Sequence, residues 1–169
     1  MNLKRVVVTG LGALTPIGNT KDDYWKALLA GKSGCAPITY FDTEQFKTKF
    51  ACELKNYNVS EFFDRKEARK TDKFAQYAMI ASSEAIKNSA LDLDSMNKFR
   101  VGVIWGAGIG GIDTFQNEVS SFATGNGTPR FNPFFIPKMI ADIAPANISI
   151  KHGFMAVSYT HLTLPTTML

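Results

Sequence analysis

VGVIWGAGIGG, residues 101–111, carries the architecture of this chain in eleven letters. Val101–Trp105 is a β-branched and aromatic run, which predicts a strand. It enters a cluster of glycines and leaves into a polar helical segment, roughly Asp113–Ala123. A strand passing through a tight turn into a helix is half of a βαβ unit, so the class read from it is α/β. Gly106, Gly108 and Gly111 also match the spacing GxGxxG, in which backbone amides at a helix N-terminus cradle a pyrophosphate. That motif wants an acidic residue about 20 positions on, at the end of a following strand. Residues 129–135 read PRFNPFF, with neither an acid nor a strand. Two readings stay open at this point: a nucleotide cradle, or a bend whose missing side chains let backbones pack closely.

Working outward, Thr71–Ser89 is the clearest helix, with Phe74, Tyr77, Ala78, Ala81, Ala85 and Ile86 on one face. Upstream, Val6–Val8 reads as a buried strand running into Gly10-Leu11-Gly12. Asn19-Thr20 caps a helix over Lys21–Ala30 that Gly31 stops. Residues 33–47 read as loop, Lys49–Leu54 as a strand and Ser60–Asp64 as a short helix. Downstream, Gly125–Gly127 is a turn, and Pro137 opens a last helix over Lys138–Ile150 that Pro145 kinks or divides. After Phe154 the text MAVSYTHLTLPTTML is threonine-rich and carries no strong period.

Composition narrows the class further. The chain has 169 residues, 45% hydrophobic and 20% charged, which is globular rather than disordered. No apolar run approaches the roughly 20 residues of a membrane-spanning helix, and the opening lacks a small-residue cleavage site. A cytoplasmic protein follows as the default. Cys35 and Cys52 have no metal-ligand spacing and read as ordinary buried or half-buried thiols. Net charge is +4, which permits an anionic partner without demanding one.

Arg65, Lys66, Arg69, Lys70 and Lys73 form a basic cluster, and on one helix 66, 69, 70 and 73 share a face. Asp64, Glu67 and Asp72 interleave with it. Both a solvated, self-paired face and an anion-docking face fit these residues. No aromatic ladder accompanies the charges, which argues against a nucleic-acid groove. His152 and His161 stand beside no nucleophile elbow, so the residues alone compose no complete catalytic site.

Six stretches in order carry a family resemblance: RVVVTGLGALTPIGN (5–19), WKALLAGKSG (25–34), ITYFDTEQFKTKFA (38–51), DRKEARKTDKFAQYA (64–78), GVIWGAGIGGIDTFQNE (102–118) and FNPFFIPKMIADIAPANISIKHGF (131–154). Together they resemble the elongating β-ketoacyl-acyl-carrier-protein synthases, the type II condensing enzyme in particular. The resemblance implies a thiolase-like αβαβα layered fold of which this chain holds part of the first half. It implies an acyltransferase that extends fatty acids by two carbons from malonyl-carrier protein, working as a homodimer with no cofactor or metal. Ile109 then lines the acyl pocket and gates chain length, and Phe135 reaches the partner subunit's pocket. Lys66, Arg69, Lys70 and Arg130 then dock acyl carrier protein.

The family's nucleophile is a cysteine roughly ten residues past Phe154, helped by two histidines further on. No cysteine stands there, and neither Cys35, Cys52 nor His161 matches a catalytic position. The expectation is a domain over residues 1–154, a foreign tail over 155–169, and no condensation activity from this chain. Two rivals remain: a non-catalytic fragment that binds carrier protein, and a nucleotide-binding oxidoreductase resting on the glycine motif.

Overall fold

The computed structural model describes residues 4–125, 128 and 130–161. Two compact units emerge, one built from Met1–Asn58 with Ile80–Leu91, the other from Val59–Met79 with Asp92–Leu169.

In the first unit, Thr20 caps helix α1 (Lys21–Leu29), its hydroxyl oxygen accepting from the Asp23 amide at 3.2 Å. Gly31, at φ +63°, closes α1. The Lys32 amide donates to Ala27 O and the Gly31 amide to Leu28 O, both at 3.0 Å, the paired bonds of a Schellman cap. Strands β1 (Ala36–Pro37) and β2 (Phe50–Ala51) form an antiparallel hairpin, so the expected loop contains a strand and the expected strand at 49–54 is short. Val6–Val8 corrects the reading of a buried strand. All three side chains are exposed, Val6 at 90%, and no strand partner adjoins them among the described residues. β-branched residues favour a pleated surface only where a neighbouring strand supplies it.

The reason for the early glycines is packing against the second half of helix α3 (Lys73–Ser89). A Cβ on Gly10 would come within 2.2 Å of Ala85 O, and one on Gly12 within 2.0 Å of Ala81 O. Asn88 and Glu84, one helical turn apart, accept from the amides of Leu11 and Ala13 at 3.1 and 2.8 Å. Glu84 also accepts from the Lys21 amide at 2.9 Å, so one carboxylate fixes both this segment and the start of α1.

In the second unit, a 3₁₀ turn (Val59–Glu61) precedes helix α2 (Arg65–Lys70). The chain breaks at Thr71-Asp72 before α3 starts, so Lys73 does not share a helix with Lys66 and Lys70 as the spacing predicted. A buried polar network holds the break. Gln76 donates to Ala68 O at 3.3 Å and Thr71 O at 3.2 Å, Thr71 donates to Glu67 O at 3.0 Å, and Asp72 accepts from Thr114. The first half of α3 is buried nearly all round, through Ala75, Gln76, Ala78 and Met79, rather than along one stripe.

Strand β3 (Val103–Gly106) pairs in parallel with β4 (Ser158–His161), Val103 opposite Ser158. Four residues are too few for a period to announce a strand over 158–161. Helix α4 (Ile112–Thr124) is not polar as expected. Ile112, Phe115, Val119 and Phe122 form a half-exposed apolar row along it. The predicted last helix is two, α5 (Phe135–Met139) and α6 (Ile143–His152). Pro145 is the third residue of α6 and fully buried, where its absent N–H would have had no helical partner anyway. Gly153 ends α6 at φ +71°.

Candidate functional site

The four residues from Arg65 to Lys70 that carry positive charge owe their presentation to a cap and a brace. Asp64 caps α2, accepting from the Glu67 amide at 2.7 Å, so it is spent on backbone rather than on the cations. Asp72 is turned inward to Thr114. Among the described residues no carboxylate lies within ion-pair distance of Lys66, Arg69 or Lys70. The self-paired reading of this face is therefore not what the side chains do. Lys73 alone reaches an acid, Asp113, at 3.8 Å.

Facing α2 is a wall the basic pattern did not announce. The Asn132 amide donates to Glu118 of α4 at 3.0 Å, and Asn132 in turn accepts from the Phe134 amide at 2.9 Å. An Asn-Pro pair at 132–133 is a turn signal, but which helix it would lean on was not legible. The result is an open groove of about 1190 Å³ between the wall and α2. Arg65, Lys66, Arg69, Lys70 and Arg130 line it, with Glu118 as the one lining carboxylate. Five cations against one acid make a strongly positive trough, long enough in chemistry for an anionic helix or polyanion. The Lys70 ammonium lies 5.1 Å above the Phe134 ring, which holds its aliphatic stem against the wall and its charge at the lip.

Behind the wall the aromatic residues stack in a row. Phe135 lies 6.3 Å from Phe115 and 5.8 Å from Phe131, which in turn lies 5.3 Å from Phe122. Phe135 is half-buried in that row. Ile109 sits in the glycine turn between β3 and α4 and is 72% exposed. The turn itself is anchored to the end of α5: Gly111 donates to Met139 O at 2.9 Å, and a Cβ on Gly110 would come within 2.3 Å of the same oxygen. The glycines at 110 and 111 are thus used for close backbone approach, the second of the two readings left open above.

Neither cysteine is buried or half-buried as expected; Cys35 and Cys52 are both exposed and free. His152 is half-buried, stacked 5.5 Å from Phe154, with its Nε2 enclosed and without a hydrogen-bond partner among the described residues. Burial, with Lys151 and Lys98 nearby, holds its pKa below the usual histidine value. No grouping of three or more metal-ligating side chains occurs among the described residues, and none of their helices is long and apolar enough to cross a membrane.

The chain is similar to proteins of one family. The family model described as beta-ketoacyl synthase, N-terminal domain, matches residues 3–167. A 3-oxoacyl-[acyl-carrier-protein] synthase 2 from Synechocystis sp. is 43% identical over 150 residues, covering 89% of this chain and 36% of that protein. The protein of the same name from Coxiella burnetii is 41% identical over all 169 residues, 41% of its length. The chain therefore spans about two fifths of these relatives. The solved ishigamide ketosynthase/chain length factor superposes with a TM-score of 0.79 at 26% identity, over 91% of this chain and 38% of that one. A type II polyketide ketosynthase solved with its acyl-carrier protein gives 0.78 at 27% identity, over 95% and 42%. With a family model over nearly its whole length and a thiolase-like ketosynthase fold, the chain belongs to the β-ketoacyl synthase family, as part of its N-terminal domain.

Proposed function

We propose that these residues are the carrier-docking part of a condensing enzyme that extends an acyl thioester by two carbons from malonyl-acyl-carrier protein. The observation that carries the proposal is the groove lined by Arg65, Lys66, Arg69, Lys70 and Arg130, whose cations are not spent on neighbouring acids among the described residues. Such a trough suits the acidic surface of a carrier protein, raising its encounter rate and orienting the tethered thioester. The names of relatives point the same way: the 3-oxoacyl-[acyl-carrier-protein] synthases name their carrier-borne substrates, and one solved neighbour is a ketosynthase in complex with its carrier protein.

In this reading Ile109 lines the acyl pocket and gates chain length, and Phe135 reaches the pocket of a second subunit in a cytoplasmic homodimer. Condensation needs no cofactor or metal. The nucleophile is not among these residues, so this chain binds carrier without turning over. We also place the domain over residues 1–154 and treat 155–169 as foreign to it. The match to the Synechocystis protein spans 150 residues, whereas the Coxiella match spans all 169 and the family model runs on to 167. Reading the source DNA through the codon for Phe154 tests it; a gene encoding residues 155–169 in frame overturns it.

The test of docking is fluorescence anisotropy of labelled acyl carrier protein against the chain at low and at physiological salt. Binding that weakens with salt, and by about tenfold or more in a Lys66→Glu, Arg69→Glu, Lys70→Glu variant, is the expected result. Equal binding by the variant removes the proposal.

A further inference from the structure

Cys35 and Cys52 lie outside the docking groove and are not used by the function above. Their placement follows from the hairpin register. Ala36 pairs with Ala51 and Pro37 with Phe50, so one step outward sets Cys35 opposite Cys52. The phase of the ladder is given by Ile38, whose amide donates to Lys49 O at 3.1 Å. That makes 38–49 a hydrogen-bonded pair, and the alternation of antiparallel ladders makes 37–50 non-bonded, 36–51 bonded and 35–52 non-bonded. Pro37 agrees with this phase, since its missing N–H falls where the ladder asks for none.

At a non-hydrogen-bonded pair the Cα atoms lie about 4.5 Å apart with side chains on one face. A disulfide accepts Cα separations of roughly 4.4–6.8 Å, a range that includes this ladder spacing. The burial pattern agrees on the face: Cys35, Pro37, Phe50 and Cys52 are exposed, whereas Ala36 and Ala51 are half-buried. Both thiols are exposed to solvent, and the register continued one step beyond the strands puts them on the same side of the hairpin.

We infer that Cys35 and Cys52 are a redox modification site, closing to a reversible cross-strand disulfide when the chain meets a small-molecule disulfide such as oxidised glutathione. The Cys35 thiolate attacks one sulfur, forming a mixed disulfide and releasing one glutathione thiolate. The Cys52 thiolate then attacks the Cys35 sulfur, forming the protein disulfide and releasing the second. Two protein thiols are oxidised, one small disulfide is reduced to two thiols, and the two protons pass to the released thiolates. The order of attack is interchangeable by symmetry of the site. The consequence is local. β1 and β2 have two residues each, so the bond clasps a hairpin that few ladder bonds hold and closes the loop between them.

The experiment equilibrates the full chain, dilute, in glutathione redox buffers, quenches with acid and maps tryptic peptides without reduction. The expected product is residues 33–47 linked to residues 50–55. In an unfolded chain the effective concentration of thiols this far apart is about millimolar. The folded hairpin should exceed the same chain in guanidinium by about tenfold or more. Cys35→Ser and Cys52→Ser should each stop at a single glutathione adduct. An adduct on both thiols of the parent, disulfide-linked dimers, or equal effective concentrations folded and unfolded would each overturn the inference.

Discussion

Gly12 shows how one residue can be committed to a contact that no pattern of its own announces. Its missing side chain lets the segment lie on α3, and a Cβ there would stand 2.0 Å from the Ala81 carbonyl, backbone that cannot rotate away. Gly108 has the opposite environment, with nothing within 4 Å of where a Cβ would stand. Gly12→Ala should therefore cost about 3 kcal/mol, the upper end for overpacking, and Gly108→Ala less than about 0.5 kcal/mol. Limited-proteolysis rates of the two variants against the parent distinguish them, and equal rates contradict the packing described. Both glycines stand in conspicuous clusters, so the letters looked alike. Only the neighbour across the gap separates a required glycine from a permissive one.

At the scale of elements, α2 is six residues long, short enough that its own hydrogen bonds barely define it. Asp64 at its start and the Gln76–Thr71 contacts at its end stabilise it, and with it the spacing of Lys66, Arg69 and Lys70. Asp64→Ala removes the cap at a cost of about 1 kcal/mol. If carrier protein needs the helix formed, its Kd should rise about fivefold in the same anisotropy assay, with the five groove cations untouched. An unchanged Kd would show that the charges act without the helix. The sequence did make this basic cluster legible, and its spacing allowed a helix under it. The boundary at Thr71-Asp72 was legible as the start of the next helix, but not the buried acid that makes it, satisfied by Thr114 42 residues away. The division of the last predicted helix was half-legible for the converse reason: Pro145 announced an interruption, but the cheapest place for a proline is just inside a helix start, so the gap lies before it.

Taken whole, the described residues leave much apolar surface exposed. Large apolar side chains contribute, among them Val6–Val8, Ile104 on β3 and Ile150 on α6. The core among the described residues mixes alanines, Ala75, Ala78 and Ala144 at 0% exposure, with a handful of larger side chains such as Phe63, Met79 and Ile148. A chain with that balance, and with β3 and β4 as its only parallel pair among the described residues, presents strand edges and apolar surface together. Expressed alone, it should elute as soluble aggregate and bind a hydrophobic dye. A monomer with a sharp, cooperative melt would contradict this.

What the amino-acid order determined by itself is whatever depends on neighbours in the chain. The strand into the glycine turn at 101–111, the capped and glycine-stopped α1, the basic run at 65–70 and six ordered family stretches all belong to that class. They were legible because caps, turns and charge density are local. The tertiary structure alone decided matters set by residues far apart. It spent Asp72 on Thr114, 42 residues away, rather than on the neighbouring cations. It laid Gly10 and Gly12 on α3, brought the 131–134 wall up against Glu118, and turned Cys35 and Cys52 outward across a hairpin. Each of these is fixed by which surfaces exclude water together, and that is a property of the packed chain rather than of any window along it.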